Sequence, residues 1–434
     1  MIDPLLSVSI AMVVFLLFLM MGMPIFAALG LGGILGIFLV DGQKGLLFIS
    51  GIVYGNANSW GILAVPLFLF MGNLLVRHKI GEDMYEAVYR WLGRFKGGLA
   101  IVSTLFAAMF GFMCGSSVAG VATVGGVALP EMLNRGYDKR LAAGTLALAG
   151  STAGLIPPSL LMILYGIITE ASLGKMFIAG IIPGFILVLL MMVYIVLRVT
   201  ANPELAPPGP RFPWGKKFKS LVHLMPLLII FICIIGGLYL GVCSPLEAGA
   251  IGSVAAFFLC LAYRRVTWET LKGTSLNTMK TFVMIYMLLL GAGLISHLFF
   301  ISGISAAIGS GAAALALPPW ATIIVIWLIM MVMGFFLDPP AIVLITVPVF
   351  LPVVESLGFD IVWYGIVNIL AAEAAQLTPP VGIGLFIIHS IAPEETTMKD
   401  CIMGSMPYVG ILTILLVLLI IFPEIAIWLP GKMK

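Results

Sequence analysis

Charge is scarce in this sequence. Its 22 Lys and Arg and 19 Asp and Glu make up 9% of 434 residues, against roughly 25% in soluble domains, which excludes a soluble multidomain enzyme. Cysteine is thin as well: Cys114, Cys233, Cys243, Cys260 and Cys401 form no CxxC pair and have no histidine at ligand spacing, which argues against a metal or redox centre. The histidines His78, His223, His297 and His389 are equally dispersed. A net charge of +3, with no basic run interleaved with aromatics, excludes nucleic acid as a partner. No nucleotide-binding loop, nucleophile elbow or HExxH pattern occurs, so neither ATP-driven work nor hydrolysis is expected, and the chain is not read as an enzyme. The first apolar run follows Met1, Ile2 and Asp3 with no Lys or Arg before it. It therefore lacks the basic start of a cleaved signal peptide and reads as a permanent span.

What is abundant is apolar: 62% of residues are hydrophobic, arranged in runs of about 20, the length a helix needs to cross a bilayer. An all-α polytopic membrane protein follows. Helices are expected near 5–22, 24–40, 61–76 and 177–199, with an apolar excursion at 99–130 and an interrupted span at 141–169. The second half repeats the series at 221–241, 245–262, 281–300, 321–354, 361–390 and 402–424. Residues 82–97 alternate apolar and charged faces at helical spacing, with Met84, Tyr85, Val88, Trp91, Leu92 and Phe95 together. That pattern suits a helix lying in the membrane interface or capping the bundle.

Prolines and glycines keep a register across the chain. Pro157-Pro158 in "GLIPPSL" recurs as Pro379-Pro380 in "AQLTPPVG" at an offset of 222, and Pro24 and Pro183 recur as Pro245 and Pro407 at offsets of 221 and 224. The offset of 222 carries Ser116 onto Asp338. The chain is thus a duplication, with 1–200 as the first repeat, 201–220 as a proline-rich linker and 221–434 as the second. Basic residues orient the copies. Arg77, Lys79, Arg90, Arg94 and Lys96 have no charged counterpart in 299–320, and Arg135, Lys139 and Arg140 correspond to a segment holding only Glu355 and Asp360. Loops rich in Lys and Arg stay cytoplasmic, so corresponding loops lie on opposite sides and the repeats are inverted, as in secondary transporters. Both termini and the linker then take defined sides: termini outward, linker inward. For these signs to hold, 99–130 and 321–354 must be hairpins that enter and leave on one side.

A helix that stops inside lipid exposes backbone groups that cost several kcal/mol each unless protein or a lined cavity satisfies them, so four breaks need a use. Exposed carbonyls and hydroxyls can hold a hard cation, and the resumed half-helix presents amides to an anion. Gly115, Ser116 and Ser117 at the first hairpin should face Ser151, Thr152 and Gly154. Gly334 and Asp338 at the second should face Gln376, Thr378 and Gly382. Each group of oxygens suits one sodium ion. Asp338 is the sharpest candidate, because an ionisable group at membrane depth is functional by default; it can also cap its helix. Glu131, Glu247 and Glu373 read as paired or interface-placed. Substrate contacts are expected from Ser117, Thr123, Pro158, Thr346 and Pro380. No Lys or Arg falls in a break, so an anion would meet sodium, hydroxyls and amides.

The segments "GSSVAGVAT", "LDPPAIVLITVPVFLPVV" and "LTPPVG" resemble the large membrane subunit of the tripartite ATP-independent periplasmic (TRAP) transporters, and the likeness runs through essentially the whole chain. It implies a bacterial inner-membrane permease that imports organic acids with a sodium gradient, alongside a separate small membrane subunit and a periplasmic binding protein. It further implies an elevator, with 99–169 and 321–390 sliding as a transport domain against a scaffold of the remaining helices. Gly120 and Ala122 depart from the pattern, since relatives often carry a polar residue after the first-hairpin serines. A self-sufficient sodium-coupled carrier of the same superfamily is the alternative. The inverted arrangement has a direct test: single cysteines at Asn134 and Ser356, in a cysteine-depleted background, should react with an impermeant maleimide from opposite faces of the membrane. Labelling from the same face would remove the inversion.

Overall fold

The computed structural model describes residues 3–78, 80–305, 307, 311, 317–380, 382–394 and 396–433. Lys79 and most of 306–316, part of the uncharged window used for orientation, lie outside them. The first half runs α1 (Pro4–Met20), α2 (Ile25–Ala57), a 3-10 turn leading into α3 (Ala64–Arg77), α4 (Ile80–Leu92), α5 (Gly98–Cys114), α6 (Ser117–Asn134), α7 (Lys139–Ser151), α8 (Leu160–Thr169) and α9 (Leu173–Ala201). The second runs α10 (Trp214–Tyr239), α11 (Pro245–Ala262), α12 (Trp268–Ile301), α13 (Pro319–Met333), α14 (Pro339–Ser356), α15 (Ile361–Ala375), α16 (Ile383–Ile391), α17 (Met398–Ile421) and the short α18 (Glu424–Ile427). Among the described residues there is no strand, and seven helices are long and apolar enough to span a membrane, eight if the bent 214–239 counts as one.

The duplication is visible in this order. The α5–α6 hairpin turns at Gly115 and Ser116, and the α13–α14 hairpin turns at 334–338. The broken pairs α7–α8 and α15–α16 stop and resume around Pro157-Pro158 and Pro379-Pro380, both cis. The halves do not pack as separate bundles. Helix α2 lies against α12 and α3 against α11; α7 lies against α17 and α9 against α15; α6 packs on α16 and α8 on α14. Every one of these pairs joins one half to the other, and they form three couples with the roles exchanged: α2–α12 mirrors α3–α11, α7–α17 mirrors α9–α15, and α6–α16 mirrors α8–α14.

Small residues allow these crossings. A Cβ on Gly33 would stand 2.7 Å from the Leu294 Cβ, one on Gly249 would stand 3.1 Å from the Leu67 Cβ, and one on Gly144 would stand 2.0 Å from the Gly404 carbonyl oxygen. Without a solvent difference between lipid tails and Leu side chains, such backbone approach and cross-helix hydrogen bonds are what hold membrane helices together. Ser253 donates to the Leu67 carbonyl (2.7 Å), Trp363 Nε1 to Leu419 O (2.9 Å), and Arg140 pairs with Asp400 at 3.0 Å.

Several boundaries differ from expectation. Helix α2 continues to Ala57 through Asp41 and Lys44, bending at Gly42, whose φ of 63° only a residue without a side chain adopts cheaply. Helix α12 starts at Trp268, well ahead of the apolar run expected from 281, because Thr267 closes a capping box there. Helix α10 begins at Trp214, inside the expected linker. The amphipathic segment ends as a helix at Leu92 and is a wedge more than a float: Met84, Tyr85, Val88 and also Tyr89 are buried against α3, α5 and α10, while Phe95 lies beyond it and is exposed. Tyr137, in the turn before α7, accepts a hydrogen bond from the Leu99 amide at 3.0 Å, and burial pushes its phenol up to about 12.

Overpacking a close crossing costs about 1–3 kcal/mol. Gly144→Leu should therefore lower the melting temperature of the purified protein by several degrees, while Gly126→Leu, which meets nothing within 4 Å, should leave it unchanged. Equal melting of both variants would contradict the crossing.

Candidate functional site

The four breaks meet at the centre of the fold. Gly115 ends α5 with φ 61°, and its carbonyl accepts a hydrogen bond from the Leu160 amide (2.9 Å), the first residue of α8. The tip of the first hairpin is thus bonded to the start of the resumed half-helix. A Cβ on Gly115 would stand 2.6 Å from Pro158 O, which is why glycine occupies the turn. Ser159 returns a hydroxyl to the Gly154 carbonyl (2.5 Å), while Ser151 and Thr152 bond back to Ala147 O (2.8 Å) and Ala149 O (2.6 Å). The whole stretch 141–166 is buried. Gly120, one of the two departures from the expected polar pattern, has its reason in packing: a Cβ there would lie 2.4 Å from Gly150 O.

In the second half Asp338 caps α14, accepting from the Ala341 amide at 3.2 Å. A Cβ on Gly334 would meet the Ala375 Cβ at 2.4 Å, so the second hairpin turn does press on the end of α15. Thr378 bonds to Ala374 O (2.8 Å), the Gly384 amide to Gln376 O (3.1 Å), and Gly382 has φ 54°. Thr346 donates to Ile342 O (2.7 Å) and receives the Asn368 amide at 3.0 Å. Unlike its counterpart, this break is open: Thr378 and Pro379 are half-buried and Pro380 is exposed.

Some expected residues converge and others do not. Ser117 and Gly154 come together, and Ser151 joins them through Gln376 and Glu373, while the described bond of Thr152 returns to Ala149 O in its own helix. Gln376 leaves its expected group: its Nε2 donates to Ser151 Oγ (2.9 Å) in the first half and to the carboxylate of Glu373. Asp338 has its own helix as partner and no contact with Gln376 or Thr378 among those described. Ser116 starts α6 without a side-chain cap bond. Thr123 lies on α6 about 240° around the helix from Ser117, half-exposed and outside the cluster.

Glu373, which the sequence suggested was merely paired or interface-placed, is the group missed. It is 1% exposed, and its two oxygens accept from Ser117 Oγ of the first hairpin and from Gln376 Nε2. The signal was present: it is the sole charged residue of α15, at i,i+3 spacing from Gln376 and hence on the same face. Asn368, fully buried beneath Thr346, was missed too. A cavity of about 190 Å³ adjoins the second hairpin, lined by Leu344 and Pro348 on one side and by Asn56, Gly293 and Ser296 of α2 and α12 on the other.

Two inverted halves whose helix breaks meet in a polar centre define a multi-pass membrane transporter. The chain matches the family model described as tripartite ATP-independent periplasmic transporter, DctM component, over residues 12–425. It belongs to that family, as a large permease of secondary transport. It is 32% identical to the C4-dicarboxylate TRAP transporter large permease protein DctM of Pseudomonas aeruginosa over 93% of this chain and 94% of that one. It is 31% identical to the ectoine TRAP transporter large permease protein TeaC of Halomonas elongata over 95% and 96%. Its fold is similar to the crystal structure of the Alcanivorax borkumensis YdaH transporter, with a TM-score of 0.66 at 17% identity, covering 95% of this chain and 98% of the other.

A Cβ on Gly154 would fall 1.7 Å from Glu373 Oε1 and 2.5 Å from Ser117 Oγ. Gly154→Ala should therefore destabilise the protein by about 1–3 kcal/mol, and adding Glu373→Ala should recover part of that loss in a double-mutant thermal melt. Additive losses would place Glu373 away from Gly154.

Proposed function

We propose that this chain, with a small membrane subunit and a periplasmic binding protein, imports an organic acid across the bacterial inner membrane in symport with sodium. The observation that carries the reading is the convergence of both halves' breaks on oxygen ligands with no Lys or Arg in any break. A carboxylate cargo there is neutralised by bound cations, hydroxyls and half-helix amides. The solutes named for the relatives, C4-dicarboxylates and ectoine, all carry carboxylates, and their variety puts the choice of solute on the binding protein.

The motion is an elevator. The body 99–169 with 321–390 carries the site, and the remaining helices, α1–α4, α9–α12, α17 and α18, form the frame; the cavity between Asn56 and Ser296 on one side and Pro348 on the other lies on the boundary where the two slide. Both termini face the periplasm. Sodium is held by Gly115, Ser116, Ser117, Ser151, Thr152 and Gly154 in one group and by Gly334, Asp338, Thr378 and Gly382 in the other. The solute lies between them, against Ser117, Pro158, Thr346 and Pro380; Thr123, outside the cluster, takes no part.

Asp338 separates ion binding from helix capping. Asn caps as well as Asp, so Asp338→Asn should keep the melting temperature within a degree or so while cutting sodium-dependent uptake by roughly tenfold or more, the scale of one lost charged ligand. The assay is solute uptake into liposomes holding both membrane subunits, with the binding protein outside and an imposed sodium gradient. Unchanged sodium dependence in Asp338→Asn would remove that site, and uptake by the permease alone would favour the self-sufficient carrier.

A further inference from the structure

Glu373 sits where the first hairpin meets the second broken helix, and the bonds it makes leave its charge uncompensated. It is 1% exposed, and its described partners are a serine hydroxyl and an amide, both neutral. A carboxylate that far from water costs several kcal/mol unless a cation or a proton accompanies it. The titratable groups in the interior of the elements around it are engaged elsewhere. Tyr165 bonds to Ile361 O, Tyr364 on the same helix to Asn368, Tyr408 to Thr145, and Asp338 to Ala341. The charged groups on the helices α6, α7, α9, α14, α17 and α18, namely Glu131, Lys139, Arg140, Lys175, Arg198, Glu355, Lys399, Asp400 and Glu424, stand at or near helix ends.

A second observation is independent of the first. Gln376 is fully buried, and its Oε1 has no hydrogen-bond partner, although buried amide oxygens are almost always paired. Its Nε2 is committed to Glu373 and Ser151, so Oε1 is a spare acceptor on the residue that already touches the carboxylate. Ser117 and Ser151 add two hydroxyl oxygens, both buried. One carboxylate with neutral oxygens matches a monovalent cation; calcium and magnesium sites collect more charge.

We propose that Glu373, Gln376 and Ser117 form a monovalent-cation site shared between the two halves, distinct from the Asp338 site and filled during the cycle by an alkali ion or a proton. It rests on the proposed cation-coupled transport and adds to it the carboxylate that the first group of sodium oxygens lacks. Because Ser117 belongs to the first hairpin and Glu373 to the second broken helix, an occupied site ties two halves of the moving body together, and an emptied one leaves a bare carboxylate that must not cross.

The test uses the purified full chain with its small subunit in detergent and needs no solute. Thermal stabilisation is titrated with sodium chloride against choline chloride at several pH values from roughly 6 to 9, where buried carboxyls titrate. If an alkali ion fills the site, Glu373→Gln raises the sodium midpoint by roughly tenfold or more at every pH. If a proton competes for it, the wild-type sodium midpoint shifts with pH and that of Glu373→Gln does not. Gln376→Leu, which keeps the carboxylate and removes Oε1, should weaken sodium in the first case and covers the event that Glu373→Gln does not fold. Midpoint and pH response unchanged in both variants would overturn the proposal. If that happens while Asp338→Asn has lost its sodium response, the failure is confined to this site; a wild-type protein that ignores sodium altogether instead sinks the sodium coupling, and the pH series alone then decides for or against Glu373.

Discussion

Backbone polar groups have no water to turn to inside a bilayer, and the rest of this molecule is arranged around that constraint. Four helices, α5, α7, α13 and α15, end inside the fold. Their loose carbonyls and amides are met by one another: Gly115 O by the Leu160 amide, Gly154 O by Ser159, Gln376 O by the Gly384 amide. A break can therefore exist only beside another break or within its own tight return, which is why the hairpin tips and the interrupted spans gather at one place. The polar centre is a consequence of satisfying the backbone first. Cation and solute chemistry then uses oxygens that the fold had already to bring together.

The same centre is asymmetric although the chain is duplicated. The first break is sealed by α5, α6 and α9, and the tip of its hairpin, 115–117, carries no acid, while α6 and α7 touch at Gly120 and Gly150 with no room for a side chain. The second break is partly open at 378–380 and holds both acids, Asp338 before α14 and Glu373 at the end of α15. Duplication supplied two equal frames, and the side chains have since divided the work: one half contributes hydroxyls and close packing, the other the charges.

Much of this could be read from residue order. The constant register of the proline pairs, the basic loops whose counterparts in the other copy lack basic residues, and the glycine and serine clusters inside apolar runs are local features, and they located both hairpins and both breaks closely. What could not be read depends on distance in space. Nothing near Gln376 signals that its amide reaches Ser151 in the opposite half of the chain, so residue order groups it with Asp338. Glu373 carried a readable clue, its isolation on an apolar helix, but the residue it bonds, Ser117, also belongs to the other repeat. The ends of α2 and α12 escaped for another reason: Asp41, Gly42 and Lys44 have turn chemistry, yet tertiary packing carries the helix through them with one bend.

The exchanged pairing of helices reaches back to how the chain is made. Helices α2, α3, α7 and α9 all take major partners from the second half of the chain. The leading half, once threaded into the bilayer by the ribosome and its translocon, has to wait there with glycine-lined faces uncovered until α11, α12, α15 and α17 emerge. The contacts that complete this permease thus depend on the last part of its synthesis, and a chain stopped midway leaves α2, α3, α7 and α9 without their second-half partners.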